Sequence, residues 1–138
     1  MISVRKIEKD EFELGYEIRK QVFIIEQEIP AELEYDNYDE ISSHFIAEEN
    51  GKAVGYCRVY EKDGFGKIGR VAVLKSHRGK GIAKALITFV ENALPFSKWV
   101  VHSQTYIVPL YSKCGYSTVG DEFIEDGIMH YKMIKEIE

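Results

Sequence analysis

Two glycines stand among basic residues in the segment 78–83, RGKGIA, directly before a predicted helix. Glycine costs roughly 1 kcal/mol against alanine in a helix interior, so helix propensity does not explain Gly79 and Gly81. Glycine does allow a backbone to approach a ligand closely, because it has no Cβ. A helix start also leaves about four backbone N–H groups without partners and carries a partial positive charge. The segment therefore predicts an anion site, and phosphate suits such a helix end.

Positive charge is concentrated around this segment, although the chain of 138 residues has a formal net charge of −5. No acidic residue occurs between Asp63 and Glu91. The basic residues in that window are Lys67, Arg70, Lys75, Arg78, Lys80 and Lys84. This local concentration predicts an anionic ligand. An ordinary strand, loop and helix with a solvated basic face is the alternative, but such a face does not need both glycines.

A strand and an amphipathic helix must hold this loop in place. Residues 71–74, VAVL, are typical of a strand that is covered on both faces. Pro95 marks the end of the helix that follows the loop. The apolar residues of that helix recur at spacings of three and four: Ile82, Leu86, Phe89, Val90 and Ala93.

The loop matches neither the dinucleotide fingerprint G-x-G-x-x-G nor the nucleotide P-loop. It resembles the acyl-CoA-binding motif R/Q-x-x-G-x-G/A of the GCN5-related N-acetyltransferases (GNAT), whose loop amides bind the CoA diphosphate. The resemblance implies acetyl-CoA as co-substrate and no metal. The loop residues it assigns to binding are Arg78, Gly79, Lys80, Gly81, Ile82 and Ala83. One departure is Lys75-Ser76, where Pro-Glu is common in the family.

Weaker matches point to the small, single-domain ElaA-like branch of the GNAT family. They are Arg19, the Phe23-x-x-Glu26-Gln27 segment, Asp36, Asp39, His44, and the closing segment Gly127-Ile128-Met129-His130 with Met133.

The remaining chain alternates predicted strands and helices. Asn50-Gly51 is a strong hairpin signal, and Asp10 with Glu13 approximates a capping box. The predicted elements are a strand over 2–8, a helix over 10–27, a hairpin of 42–50 and 52–61, a strand over 98–104, a short helix over 106–113, and closing strands over 116–123 and 127–137.

The element order is β-α-(α)-β-β-β-α-β-α-β-β. It predicts an α/β (α+β) fold with a mixed, mostly antiparallel twisted sheet of about six to seven strands, flanked by helices. The GNAT resemblance implies the same order and covers nearly the whole chain. We therefore predict a single GNAT-like domain over residues 1–138.

The reaction that the resemblance implies is direct transfer of an acetyl group from a CoA thioester to a primary amine. By resemblance, the backbone of Val71, Ala72 and Val73 holds the pantetheine arm and supplies the N–H donor for the thioester oxygen. Gln104 is assigned to pantetheine binding. Tyr111 belongs to a segment like the family's Y-x-K-x-G-F/Y, whose tyrosine lies beside the CoA sulfur, so it is the candidate proton donor to the thiolate. A tyrosine that only packs on the cofactor is the alternative.

The general base is less well defined by the sequence. Glu26, His44, His102 and His130 are the candidates, with water as the remaining alternative, and Glu26 ranks first because the resemblance places it near the acceptor entrance. Histidine titrates near neutral pH, but a lone histidine on a strand is more often structural.

An acidic segment follows the first helix. No Lys or Arg occurs from Gln21 to Gly51. The acidic residues there include Glu26, Glu28, Glu32, Glu34, Asp36, Asp39 and Glu40. We interpret it either as a wall that attracts a cationic amine or as a solvated acidic loop.

Composition excludes several other classes of protein. Cys57 and Cys114 are too few for a disulfide framework, and no apolar run reaches the roughly 20 residues that span a bilayer. We expect no signal peptide, a cytoplasmic location, no nucleic-acid partner and no membrane partner. The expected partner is a small-molecule or peptide amine, and a homodimer stays open. The alternatives are a non-catalytic acyl-CoA sensor or regulatory module and a binder of nucleotides or other phosphates.

Overall fold

A seven-stranded sheet dominates the computed structural model, which describes residues 1–137. Its strands are β1 (Ile2–Ile7), β2 (Ser43–Glu49), β3 (Lys52–Lys62), β4 (Phe65–Val73), β5 (Lys98–Gln104), β6 (Ser117–Glu125) and β7 (Ile128–Glu136). Their order in the sheet is β1-β2-β3-β4-β5-β7-β6. Only β4 and β5 pair in parallel, and every other neighbouring pair is antiparallel. The predicted fold class is confirmed.

Helices cover both faces of the sheet. They are α1 (Phe12–Arg19), which continues as a π-helix (Lys20–Glu26), α2 (Ala31–Glu34), α3 (Ile82–Ala93) and α4 (Val108–Lys113). Short 3₁₀ turns fill four connections: Lys9–Glu11, Asn37–Ile41, Lys75–His77 and Thr105–Ile107. The order of strands and main helices agrees with the predicted order.

Three tight turns connect the antiparallel strands. Each consists of Asn or Asp followed by Gly, with positive φ at both residues: 54° and 80° at Asn50-Gly51, 50° and 84° at Asp63-Gly64, and 53° and 78° at Asp126-Gly127. These residue types adopt such angles at low cost, and the resulting turn matches the twist of the strands.

The first helical segment differs in detail from the prediction. The predicted helix over 10–27 is divided into a 3₁₀ turn, α1 and a π-helix. The capping-box prediction at Asp10 and Glu13 is wrong, because neither the 3₁₀ turn nor α1 begins with a side-chain cap hydrogen bond. The wider π turn carries Val22 and Phe23 into the core and ends at Glu26.

Two apolar cores lie on opposite faces of the sheet. One packs α3 and α4 against the sheet around Leu86, Trp99 and Met133. The other packs α1 and the π-helix against it around Ile18, Val22 and Tyr56. Because strands alternate their side chains between faces, the short apolar run of β4 places Val71 and Val73 against the first core and Ala72 in the second.

A buried network of three arginines and three carboxylates fastens the segment 31–41 to the sheet. Arg19 is fully buried, and its Nε and Nη2 donate to the two carboxylate oxygens of Glu34 at 2.7 Å each. Asp39 accepts from Arg19 at 2.7 Å and from Arg58 at 2.9 Å. Asp36 accepts from Arg58 at 2.7 and 2.9 Å and from Arg70 at 3.2 Å. The formal charges in the network cancel.

Replacing Glu34 with alanine should destabilise the protein by about 3 kcal/mol, because it leaves the fully buried Arg19 without its main partner. We expect the melting temperature to fall by roughly 10 °C, measured by calorimetry. Glu32→Ala is the matched control, since Glu32 lies on the same helix and is exposed. Equal effects of the two substitutions would show that the buried pair adds no stability.

Candidate active site

A cleft opens where β4 and β5 separate. The two strands pair only along Gly66–Ile68 and Trp99–Val101, and they then diverge. The resulting cavity has a volume of about 660 Å³. Of the residues predicted to bind or act, those that line it are Val71, Ala72, Val73, Arg78, Gly79, Gly81, Ile82, Ala83, Gln104 and Tyr111. Lys80 and Glu26 lie outside that lining. The structure therefore brings together most of the predicted site.

A bulge in β4 shapes one wall of the cleft. Tyr56 pairs with Ala72 and Arg58 pairs with Gly69, so Arg70 and Val71 together lie opposite Cys57. Arg70 has a φ of 53°, which is unusual for a residue other than glycine. A bulge leaves one residue of the strand unpaired in the ladder. The bulge therefore lies at the segment that we predicted to contact the pantetheine arm.

The start of α3 forms the part of the cleft where a phosphate group is expected to bind. Gly81 is the N-cap residue, has a φ of 80°, and makes no side-chain cap hydrogen bond. Gly79 has a φ of 81°. A Cβ built at either glycine would meet no atom within 4 Å. Internal packing therefore does not require these glycines, and the backbone conformation together with the open space beside the amides fits a bound diphosphate.

The basic side chains of this loop are paired with carboxylates of the same chain. Arg78 donates to both oxygens of Glu26 at 2.6 and 2.7 Å, and its Nε donates to the Val73 carbonyl at 3.0 Å. Lys80 donates to Glu49 at 3.1 Å. Over residues 1–137, the backbone N–H groups of residues 79–84 have no hydrogen-bond partner, and the local excess of positive charge seen in the sequence is partly neutralised.

Pairing with Arg78 weakens Glu26 as a candidate base. The hydrogen bond from Arg78 lowers the pKa of the Glu26 carboxyl, so this group holds a proton less readily than a free glutamate. Glu26 stays a prediction for the base, but its geometry is that of a salt bridge at the cleft margin.

Tyr111, in α4, and Gln104, in β5, both line the cleft. Tyr111 is 6% exposed, and burial raises the pKa of its phenol above its usual range. The phenol therefore carries its proton at neutral pH, as a proton donor must. The Gln104 side-chain amide donates to Gln27 at 2.9 Å, which joins β5 to the chain after the π-helix. The catalytic role of Tyr111 and the pantetheine contact of Gln104 stay predictions.

The three candidate histidines have different environments. His44 is buried under α1, with one ring nitrogen against the Tyr56 hydroxyl and the other 2.9 Å from the Asp39 carbonyl, and burial lowers its pKa. It does not line the cleft. His102 and His130 do line it, beside Glu125. The sequence did not identify Glu125 as a site residue, because it lies between the two predicted closing strands. Glu125 and His102 are 23 positions apart, so no local sequence pattern connects them.

The acidic segment has a role that neither interpretation of the sequence described. Its residues Glu34, Asp36 and Asp39 are held by Arg19, Arg58 and Arg70. These carboxylates are therefore paired with arginines and are not free to attract an amine. They instead fix the segment that forms one wall of the cleft through Glu34, Asp36 and Tyr38.

This fold and this cleft define an acetyltransferase of the GNAT class. The model of the acetyltransferase (GNAT) domain family matches residues 7–137. The chain therefore belongs to the GNAT family, and its class of activity is that of an acyl-CoA-dependent N-acetyltransferase.

Individual relatives agree with this assignment. The uncharacterized N-acetyltransferase YjcF of Bacillus subtilis is 38% identical over 136 residues, covering 94% of this chain and 97% of that protein. The crystal structure of Escherichia coli ElaA superposes with a TM-score of 0.82 at 23% identity, covering 99% of this chain and 100% of that one. A GNAT acetyltransferase from Elizabethkingia anophelis, solved with acetyl-CoA bound, has a TM-score of 0.70 at 18% identity, covering 99% and 98%.

Residues 1–137 contain neither a membrane-spanning helix nor a cluster of metal ligands. Over residues 1–137, no helix has the length and apolar character needed to cross a membrane. Within the same residues, no three potential ligands among His, Cys, Asp and Glu are grouped closely enough to hold a metal ion.

Proposed function

We propose that the protein transfers an acetyl group from acetyl-CoA directly to a primary amine, carried by a small molecule or a peptide. The observation that carries the proposal is the uncapped start of α3, where Gly79 and Gly81 adopt positive φ beside open space. A diphosphate accepts hydrogen bonds from such amides and is favoured by the helix dipole. The GNAT structure with acetyl-CoA bound supports the choice of donor.

The bulged wall of β4 would hold the thioester arm. Acetyl-CoA supplies an activated carbonyl group, whose oxygen gains negative charge as the amine attacks. A fixed N–H donor stabilises that charge best when it is already in place before the reaction. The backbone near Val71 and Val73 borders the cleft and is distorted from regular pairing by the bulge, which supports its assignment as that donor.

Tyr111 would protonate the departing CoA sulfur. It lines the cleft and carries its proton at neutral pH. A thiol has an ordinary pKa of about 8.5, so a proton donor assists its departure near neutral pH.

The amine would enter over the open face of β5, β6 and β7. That part of the cleft carries Lys67, His102, Glu125 and His130, with Tyr38 and Tyr60 at its edge. The two tyrosine rings are stacked with their centroids 4.7 Å apart. Burial lowers the pKa of Lys67 to about 8, so Lys67 is mostly charged at pH 7 and loses its charge as the pH rises into the slightly alkaline range.

An acetyl-transfer screen tests the proposal. Purified protein is incubated with acetyl-CoA and a panel of polyamines, aminoglycosides, amino acids and peptides, and CoA release is measured together with the acetylated product. We expect turnover with at least one amine class and direct binding of acetyl-CoA by calorimetry. Binding without turnover on any amine would support the acyl-CoA sensor instead, and competition by ATP without affinity for CoA would support a nucleotide binder.

A further inference from the structure

The acceptor half of the cleft contains an imidazole–carboxylate pair built from two strands. His102 lies in β5, and Glu125 is the last residue of β6. The His102 Nδ1 is 3.0 Å from the Glu125 Oε1. Their side chains are 29% and 40% exposed, so both are partly sheltered and both border the cleft.

The geometry points to His102 as the general base and to Glu125 as the residue that positions it. This inference rests on the proposed function and names the proton acceptor for that reaction. It differs from the prediction of Glu26, which is engaged with Arg78 outside the cleft lining.

The hydrogen bond to Glu125 determines which nitrogen of His102 can accept a proton. The hydrogen bond from His102 lowers the pKa of the Glu125 carboxyl, so Glu125 is ionised at neutral pH and can only accept. The Nδ1 of His102 must therefore carry the hydrogen, and the lone pair of the neutral ring lies on Nε2. That Nε2 makes no hydrogen bond to another of residues 1–137 and is not a buried unpaired atom.

His130 fixes the pair from the other side. Its Nδ1 donates to the Ile128 carbonyl at 2.7 Å, and its Nε2 is 3.8 Å from the second oxygen of Glu125. The Phe123 ring packs edge-on against His102 and stacks with His130, at centroid distances of 5.2 and 5.9 Å. The His130 side chain is 9% exposed against 29% for His102, so His102 is the more accessible imidazole of the two.

Charged groups from every neighbouring strand surround this pair. Glu125 contacts His102 through one carboxylate oxygen, and its other oxygen lies near His130. The other groups are Lys67 on β4, Lys132 opposite His102 on β7, Arg58 on β3 with its partners Asp36 and Asp39, and Asp126 in the β6–β7 turn. Of these groups, Glu125 is the one that hydrogen-bonds to His102.

The proposed step is balanced without any further reactant. The amine nitrogen uses its lone pair to form the C–N bond, and the C–S bond breaks with its electron pair on sulfur. The proton of the attacking nitrogen goes to His102 Nε2, and the thiolate takes a proton from Tyr111. The products are the amide and CoA as its thiol, and solvent returns one proton from His102 to Tyr111.

The test is the pH dependence of kcat/KM for the best amine of the acetyl-transfer screen. For Glu125→Gln we expect kcat/KM at pH 7 to fall about tenfold, and the acid limb to move to lower pH, because a protonated imidazole loses its negative neighbour. For His102→Gln we expect a fall of about 50-fold and loss of that limb. Unchanged Kd values for acetyl-CoA show that both variants fold.

Asp121→Asn is the matched control, since Asp121 is an exposed carboxylate on the same strand, and it should leave the profile unchanged. A purely structural role of Glu125 would lower kcat/KM without moving the acid limb, and that result would overturn the dyad while the proposed function stands. Wild-type protein that acetylates no amine would overturn both.

Discussion

Replacing Gly79 and Gly81 together with alanine should raise the Kd for acetyl-CoA about 100-fold, measured by calorimetry. The two added methyl groups meet no protein atom within 4 Å, so they do not disturb the packing. They stand instead in the space beside the free amides of α3, where the diphosphate is expected to bind. Alanine also adopts positive φ only at a cost of roughly 1–2 kcal/mol per residue, which shifts the loop away from the binding conformation.

A double substitution in two turns isolates the ligand effect from the backbone cost. Gly51 and Gly64 have φ values of 80° and 84°, and a Cβ at either also meets nothing within 4 Å. Gly51→Ala with Gly64→Ala should therefore lower the melting temperature by a similar amount and leave the Kd for acetyl-CoA unchanged. Equal Kd values for the two double variants would show that the α3 start does not bind the cofactor.

Tyr111→Phe should lower kcat about 100-fold and change the KM for acetyl-CoA by less than about threefold. The ring keeps its packing in the buried position, whereas the phenolic proton is lost. Because the departing thiolate then has no proton donor at hand, the loss affects the chemical step and not the binding of the substrate. Steady-state and single-turnover kinetics on the same amine measure the two effects separately.

Tyr116→Phe is the control for this experiment. The Tyr116 ring packs edge-on against Tyr111 at a centroid distance of 5.9 Å, but its hydroxyl donates to Glu91 at 2.7 Å and does not line the cleft. Its loss should cost about 1 kcal/mol of stability and leave kcat unchanged. A wild-type kcat in Tyr111→Phe, with chemistry shown to be rate-limiting, would remove Tyr111 from the proposed role.

Elements set by local patterns were predicted well from the sequence. The strand over 98–104 has the predicted bounds, and the Asn50-Gly51 turn forms as expected. The glycine-bearing loop and α3 also lie where they were predicted. These features depend on periodicity and on turn residues that are neighbours in the chain, so a short window of sequence contains the necessary information.

Interactions between distant residues could not be predicted in this way. Arg78 and Glu26 are 52 positions apart, and Arg58 and Asp36 are 22 apart. The sequence shows an acidic segment and a basic segment, but it does not show which charges neutralise one another when strands and helices pack. The acidic wall of one interpretation and the Arg78 side chain assigned to cofactor binding are both engaged in such pairs.

The brief contact between β4 and β5 divides the sheet into two blocks, β1–β4 and β5–β7. Within the described residues 1–137, three residue pairs connect these blocks across the sheet, at Gly66–Ile68 and Trp99–Val101. A ligand arm lying farther along the gap would touch both blocks and restrain their relative motion. Deuterium uptake by the backbone along both sides of the gap is therefore a direct readout of occupancy, one that requires neither turnover nor knowledge of the acceptor.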